Sequence, residues 1–240
     1  DFDFIEHILT IRTDGGETRQ IPLQPQSVAA FYDALFDALS SLRINVTIHG
    51  RPNELADATP FSLDEVHRSY DPIYAHRFWR VLKINDHIFK LFRTSFLGKS
   101  SPVHLFWGSL DLAVTRFSGR TAPRHPGGIP NLPDSVTREA YSHEVSSAGF
   151  WAGGGGVDYA AYYSYAYPVP DGFSKRVVQP KGAFFSKEAG EFLLPYDAVR
   201  NAENPERTLL DFLESSFAAA AETANWDRGS LECAMGQPRV

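Results

Sequence analysis

Two histidines with acidic residues close by form the best candidate for chemistry in this chain. One histidine lies in the segment 103–120 and the other in the segment 139–151. A histidine held beside a carboxylate is an oriented base with a pKa near neutral pH, so such a pair suits general acid–base catalysis. The candidate catalytic residues are His104, Glu139, His143 and Glu144.

Imidazole and carboxylate groups are also common metal ligands. In a helix, Glu139 and His143 would be four residues apart and would lie on one face, where they could share a metal ion. The candidate metal ligands are His104, Glu139 and His143. Their spacing matches no established metal motif such as H-E-x-x-H, so the sequence identifies neither a metal nor any other cofactor.

Arginine and tryptophan residues near these groups would bind a substrate. A guanidinium group binds a carboxylate at two points, so Arg116 or Arg120 would suit an anionic substrate. The candidate substrate-binding residues are Trp107, Asp111, Arg116, Arg120 and Trp151. A structural interpretation stays open: buried charges must be paired, and His143 and Glu144 would then fix the sheet, with Arg116 as a partner.

Strands must position these side chains. Residues 103–107 and 111–117 alternate with the period of two that is typical of a strand, which places Asp111 and Arg116 on opposite faces. Residues 143–151 also alternate, and small residues stand between aromatic ones in this part of the sequence. Small side chains would leave room above one face of the sheet. We therefore expect a small, apolar-walled pocket for a small-molecule ligand over the sheet.

The whole pattern predicts an α+β fold with a mainly antiparallel sheet, because strands come in hairpin-length pairs rather than in βαβ units. Three or four helices would cover the sheet, and the long central one runs over 71–96. Shorter elements include a strand over 45–49 and a helix opened by a capping box at Ser62 and Glu65. The predicted hairpins cover residues 1–23 and 183–194, and a further strand covers 159–168. The remaining predicted helices cover 27–42 and a segment that begins at Pro205.

We expect a single domain over residues 1–240. Residues 1–100 would supply a hairpin and helices, residues 101–200 the sheet core with the candidate strands, residues 201–228 a closing helix and residues 229–240 a tail.

Composition limits the classes of partner. The chain of 240 residues has a net charge of −6 and no clustered basic face, so we expect no binding of nucleic acid. No apolar run approaches the length that spans a bilayer, so we expect no membrane insertion. Cys233 is the single cysteine, which excludes an intrachain disulfide and favours a cytoplasmic location. Nothing in the sequence indicates an oligomeric state.

The motifs resemble those of a bacterial family of unknown function, DUF5996. The resemblance rests on HLFWGSLDLAVTRFSGR from His104, on EAYSHEV from Glu139 and on GFW ending at Trp151, and it extends over essentially the whole chain. The family carries no assigned activity that the resemblance would imply. The resemblance implies a further segment before Asp1 that is not in this chain. That segment would supply one wall of the site.

Three functional hypotheses follow. The first is an enzyme of unassigned reaction, and the second is a binding or interaction module in which the same polar residues are structural. The third is a subunit whose aromatic strand Tyr159–Tyr167 pairs with a partner. The alternating tyrosines of this strand would also suit the lining of an aromatic ligand site, although such a row is more often half-exposed sheet surface. Ser109 lacks a G-x-S-x-G context, and the run Gly153–Gly156 indicates a hinge rather than a phosphate-binding loop.

Overall fold

The computed structural model describes residues 1–154 and 157–236 and divides the chain into two compact units, Asp1–Lys83 and Ile84–Val240. The prediction of a single domain stays a prediction. The boundary falls inside the long helix α2 (Pro72–Thr94), which agrees with the helix expected over 71–96. Two residues of the predicted glycine hinge, Gly155 and Gly156, and the last four residues of the predicted tail lie outside the described residues.

The first unit contains a three-stranded antiparallel sheet, one complete α-helix and the first part of α2. The sheet is formed by β1 (Phe2–Asp3), β2 (Ile8–Arg12) and β3 (Thr18–Pro22), in that order. Helix α1 (Val28–Ser41) follows, and the side chain of Ser27 caps its first turn by accepting a hydrogen bond from the amide of Ala30.

Two short predicted elements of the first unit are wrong. Residues 45–49 form no strand, although their side chains alternate, because no neighbouring strand pairs with their backbone. The capping box at Ser62 does not open an α-helix either: Phe61–Leu63 is a single 3-10 turn. Asp64 accepts hydrogen bonds from the amides of Val66 and His67, so the backbone is satisfied in a turn instead.

The second unit is built around a six-stranded antiparallel sheet in the order β4-β5-β6-β7-β9-β8. Its helices are α3 (Asp134–Ala140), α4 (Tyr196–Arg200), α5 (Pro205–Thr223) and α6 (Arg228–Leu231). These sheets and helices confirm the predicted α+β class with antiparallel sheets. The strands are β4 (His104–Phe106), β5 (Asp111–Thr121), β6 (His143–Trp151), β7 (Ala161–Tyr167), β8 (Phe184–Ser186) and β9 (Glu191–Pro195).

The two faces of this sheet differ in chemistry. One face, the helix face, packs its apolar side chains against α5 and the end of α2, where Phe92 and Phe217 meet edge to face at 6.3 Å. The other face, here called the tyrosine face, carries Asp111, Ser147, Tyr163, Tyr165 and Glu191. The register fixes this division, since Ala113, Gly149, Tyr163 and Leu193 pair in one row across four strands.

The chain after α5 continues along the end of α2 rather than leaving the unit. The amide of Leu97 donates to the carbonyl oxygen of Leu231 at 2.7 Å, and the amide of Cys233 donates to that of Ser95 at 3.1 Å. Within the described residues, none of the helices is both long enough and apolar enough to cross a membrane.

Candidate functional site

The centre of the tyrosine face is a hydrogen bond between Tyr163 and Asp111. The hydroxyl of Tyr163 on β7 donates to Oδ2 of Asp111 on β5, although β6 lies between these two strands. Asp111 is buried, with 8% of its surface exposed. A buried carboxylate requires hydrogen bonds, and this donor supplies one of them.

Glycine makes this long contact possible. Gly149 on β6 pairs with both Ala113 and Tyr163, so the tyrosine ring must cross it to reach Asp111. A Cβ atom added to Gly149 would lie 2.5 Å from Cζ of Tyr163 and 2.6 Å from the carbonyl oxygen of Leu112. The absence of a side chain at Gly149 therefore creates the space for the Tyr163 ring.

A second tyrosine, Tyr165, lies beside Tyr163 on the same face and is also hydrogen bonded. The ring of Tyr165 stacks beside that of Tyr163, with centroids 6.1 Å apart, and its hydroxyl is hydrogen bonded to the hydroxyl of Tyr141 at 2.8 Å. Burial raises the pKa of both Tyr163 and Tyr165 well above the ordinary value, and Asp111 and Tyr141 respectively add to the effect. Both hydroxyls therefore stay protonated at neutral pH, and that of Tyr163 donates to Asp111.

Hydroxyl groups and an imidazole surround the tyrosines. Thr115 and Ser147 pair across β5 and β6, and their hydroxyl oxygens are 2.9 Å apart. The ring of His125 stacks on Tyr141 at 4.8 Å between centroids and lies 5.0 Å from the ring of Tyr167. The tyrosine face thus offers several hydrogen-bonding groups beside aromatic rings.

A second carboxyl group lies on this face. Glu191 is the first residue of β9 and is half-buried. Burial, with the negative charge of Asp111 as a further cause, raises the pKa of Glu191 to about 7. A carboxyl group with this pKa exchanges its proton at neutral pH, whereas an ordinary glutamate stays ionised.

The described strand positions of the tyrosine face carry acids but neither arginine nor lysine, and Lys99, which precedes β4, lies over the Phe117 ring at 5.5 Å. In the part of the chain that the structure describes, alternation along the six strands places neither residue type on this side. The aromatic and acidic side chains on it are Phe106, Asp111, Phe117, Trp151, Tyr163, Tyr165, Tyr167, Phe184 and Glu191.

Two of the sequence-predicted residues, His104 and Trp151, lie on this face near Asp111. His104 pairs with Ala113, two residues from Asp111 on β5, so the two side chains are diagonal neighbours. Nδ1 of His104 donates to the carbonyl oxygen of Pro102 at 3.1 Å. Trp151 is half-buried at the end of β6.

Trp107 lies beyond the end of β4. Its surface is 70% exposed, and Phe106 beside it is 48% exposed. The two rings form the rim of the sheet at its β4 edge, next to the strand that carries Asp111.

Arg116 lies on the opposite side of the sheet, as its alternation with Asp111 predicts. It is 2% exposed, and its guanidinium group stacks on Phe92 at 3.5 Å and on Phe217 at 4.3 Å from the ring centroids. Its Nη2 donates to the carbonyl oxygen of Phe92 and to the hydroxyl of Ser95 at 2.9 Å. These contacts hold the Arg116 side chain inside the core of the second unit.

Arg120 and Glu144 pair with each other at the end of helix α5. Nη2 of Arg120 lies 2.6 Å from Oε2 of Glu144 and also donates to the carbonyl oxygen of Ala224. The partner of Glu144 is thus Arg120 rather than Arg116, and Ser118 donates to the same oxygen at 2.9 Å. A cavity of about 130 Å³ borders Glu144.

The structure does not bring His143 to His104. His143 pairs with Thr121 at the far end of β6, six residues from Gly149, which corresponds to about 20 Å along an extended strand. His143 is exposed and lies 3.2 Å from Ser142 Oγ, and Glu139 is exposed on α3. Among the described residues, no three His, Cys, Asp or Glu side chains group together as metal ligands would.

Sequence reasoning did not single out Tyr163 or Glu191 as the partners of Asp111. Tyr163 lies in the predicted tyrosine-rich strand, and Glu191 lies in the predicted hairpin over 183–194. An acidic residue among the apolar residues of that hairpin is the signal that could have identified Glu191. What the sequence lacked was the register that places them beside Asp111.

Comparison with known proteins identifies the class of this chain but no activity. The model of a family of unknown function, DUF5996, matches residues 1–233, and the chain belongs to that family. No curated protein and no solved structure matches the chain.

Proposed function

We propose that this chain binds a small organic cation on the tyrosine face and exchanges a proton with it through Glu191. The observation that carries the proposal is the presence of two carboxyl groups, Asp111 and Glu191, among tyrosines on a sheet face without a strand arginine or lysine. The binding groups would be Asp111, Tyr163, Tyr165 and Glu191, with His104 and Trp151 beside them.

Charge supports a cationic ligand. Asp111 and Glu191 influence each other electrostatically, so a positive group placed near both would relieve their mutual repulsion. Tyrosine rings attract cations through their negative faces, and Tyr163 and Tyr165 present two nearly parallel rings between the acids. An anionic ligand would meet the opposite charge, so the arginines predicted to hold an anion do not define this ligand.

The pKa of Glu191 supports proton exchange. A general acid–base group works best when its pKa is near the working pH, and that of Glu191 is about 7. Tyr163 and Tyr165 remain protonated, and their rings would contact the cation while their hydroxyl groups stay bonded to Asp111 and Tyr141. Within the cluster, Glu191 is therefore the group assigned to take or give the proton.

A non-catalytic domain with a purely structural cluster is the rival hypothesis. The bond from Tyr163 to Asp111 satisfies a buried carboxylate and suffices for a structural role. A second half-buried carboxyl group beside it is not needed for folding, because its ionised form is destabilised there. The rival hypothesis leaves Glu191 unexplained, and this favours a ligand.

Calorimetric titration with benzylammonium, a cation that carries a transferable proton, tests the proposal. We expect Glu191→Gln and Asp111→Asn to weaken binding by about tenfold each, because each removes one negative charge from a partly desolvated site. Glu139→Gln, which removes an exposed acid of α3, is the matched control and should leave the affinity unchanged. Circular dichroism establishes that each variant is folded.

Two results would contradict the proposal. One is no binding by the unaltered chain at millimolar cation. The other is an equal loss of affinity in Glu139→Gln and Glu191→Gln, which would show that overall charge rather than the cluster attracts the cation.

A further inference from the structure

A separate cavity of about 370 Å³ lies at the other edge of the six-stranded sheet, beside the edge strand β8. The segment 174–183 forms its wall, and Phe185 and Phe192 form its floor. The ring of the fully buried Phe173 meets both floor rings edge to face, at 6.0 Å and 5.0 Å between centroids. The volume falls at the small end of the range found for ligand pockets.

The backbone of the wall is anchored to its surroundings. The amide of Gln179 donates to the hydroxyl of Ser215 on α5 at 2.8 Å. A turn follows, in which the amide of Ala183 donates to the carbonyl oxygen of Pro180 at 2.8 Å, and Lys181 lies within it. The cavity is therefore held open by bonded backbone on one side and by aromatic rings on the other.

The charge of this region is opposite to that of the whole chain. Residues 173–187 contain four basic residues and no acidic residue, whereas the chain has a net charge of −6. Arg176 at the rim is neutralised by an ion pair with Glu222 on α5. Lys181 at the rim is in no ion pair within the described residues, so its ammonium group supplies the net positive charge of the cavity.

Apolar side chains at the same rim remain exposed. Val177 is 86% exposed and Phe184 is 44% exposed. Exposed apolar side chains grouped around a cavity mark a binding site more often than scattered ones do. Ser174 and Gln179 add polar side chains to the lining beside them.

We propose that this cavity binds a small aromatic anion, with the apolar body against Phe184, Phe185 and Val177 and a carboxylate at Lys181. The ring floor selects a flat apolar body, and the unpaired ammonium group selects one negative charge. This site differs in charge from the tyrosine face, and Phe184 borders both.

Calorimetric titration with naphthoate tests the site, and naphthalenemethanol serves as a neutral compound of the same shape. We expect naphthoate to bind more tightly than the alcohol and to lose affinity as salt is added. Lys181→Gln should weaken naphthoate binding by about threefold to fivefold, as for a solvent-accessible ion pair. It should leave the affinity for the alcohol unchanged.

Lys187→Gln is the matched control. Lys187 is an exposed residue in the turn after β8 and does not line the cavity, so this variant should bind naphthoate like the unaltered chain. Val177→Ser should weaken both compounds, since it removes apolar contact from the rim. All three positions are exposed, so these variants test binding rather than folding.

The proposal is overturned if naphthoate does not bind at millimolar concentration, if it binds no better than the alcohol, or if Lys181→Gln and Lys187→Gln behave alike.

Discussion

The ring of Tyr163 lies across Gly149, its pairing partner on the neighbouring strand, and the hydroxyl of Tyr163 reaches Asp111 one strand further on. This relationship joins three strands through one side chain. It depends on glycine for space and not for backbone conformation, because Gly149 lies in the middle of the regular strand β6.

A methyl group at Gly149 should therefore be destabilising. We expect Gly149→Ala to reduce the free energy of unfolding by about 1–3 kcal/mol, because the added carbon overlaps the Tyr163 ring and the Leu112 carbonyl group. Urea denaturation measures the change. Gly229→Ala is the control: Gly229 lies in α6, where the added Cβ would meet its nearest atom at an ordinary 3.6 Å. A tolerated Gly149→Ala would contradict the close approach of the two strands.

Removal of the Tyr163 hydroxyl isolates the bond to Asp111. Tyr163→Phe should lower stability by about 1.5–3 kcal/mol, the range for a hydrogen bond to a charged group. Tyr159→Phe provides the comparison, since Tyr159 is 43% exposed and its variant should change stability little. Equal midpoints of urea denaturation for the two variants would show that the Asp111 bond adds nothing.

Glu191 should make stability fall as pH rises. Its pKa is about 7 in the folded chain against an ordinary 4.5, so the folded state holds a proton that the unfolded state has lost between those values. This contribution is fully present below the unfolded pKa and is lost as pH rises through the folded pKa, a change of about 1–3 kcal/mol.

Glu191→Gln should remove that pH dependence. Denaturation at about pH 5 and about pH 8 should show the variant gaining stability relative to the unaltered chain at the higher pH. Glu139→Gln should not show this gain. If both variants follow the pH profile of the unaltered chain, the Glu191 carboxyl group titrates as an ordinary exposed one.

Arg116 should act on folding and not on ligand binding. Arg116→Lys should cost about 2–4 kcal/mol, because an ammonium group cannot stack on Phe92 and Phe217 as the planar guanidinium does. Arg93→Lys, at an exposed position of α2, should cost much less. An unchanged stability would show that the ring contacts of the guanidinium group are dispensable for folding.

The local parts of this site were predictable from the sequence. Alternation with a period of two separates Asp111 from Arg116, and the structure places them on opposite faces. The hairpin over 183–194 corresponds to β8 and β9. These features depend on neighbours in sequence, which a pattern of side chains records directly.

The pairing of distant strands was not predictable in the same way. Asp111 and Tyr163 are 52 residues apart, and only the register of β5, β6 and β7 brings them together. His104 and His143 share a face but lie at different ends of it, because strand length separates them. The predicted strand at 45–49 failed for the same reason, since alternation indicates a strand but does not supply its partner.

The most direct test of the proposed function is a carbon-detected NMR titration of the Glu191 carboxyl group, with and without benzylammonium. The free chain should show a pKa of about 7 for this group, and a saturating cation should lower it, because a positive charge stabilises the ionised form. A pKa that the cation leaves unchanged would contradict the proposed binding at the tyrosine face.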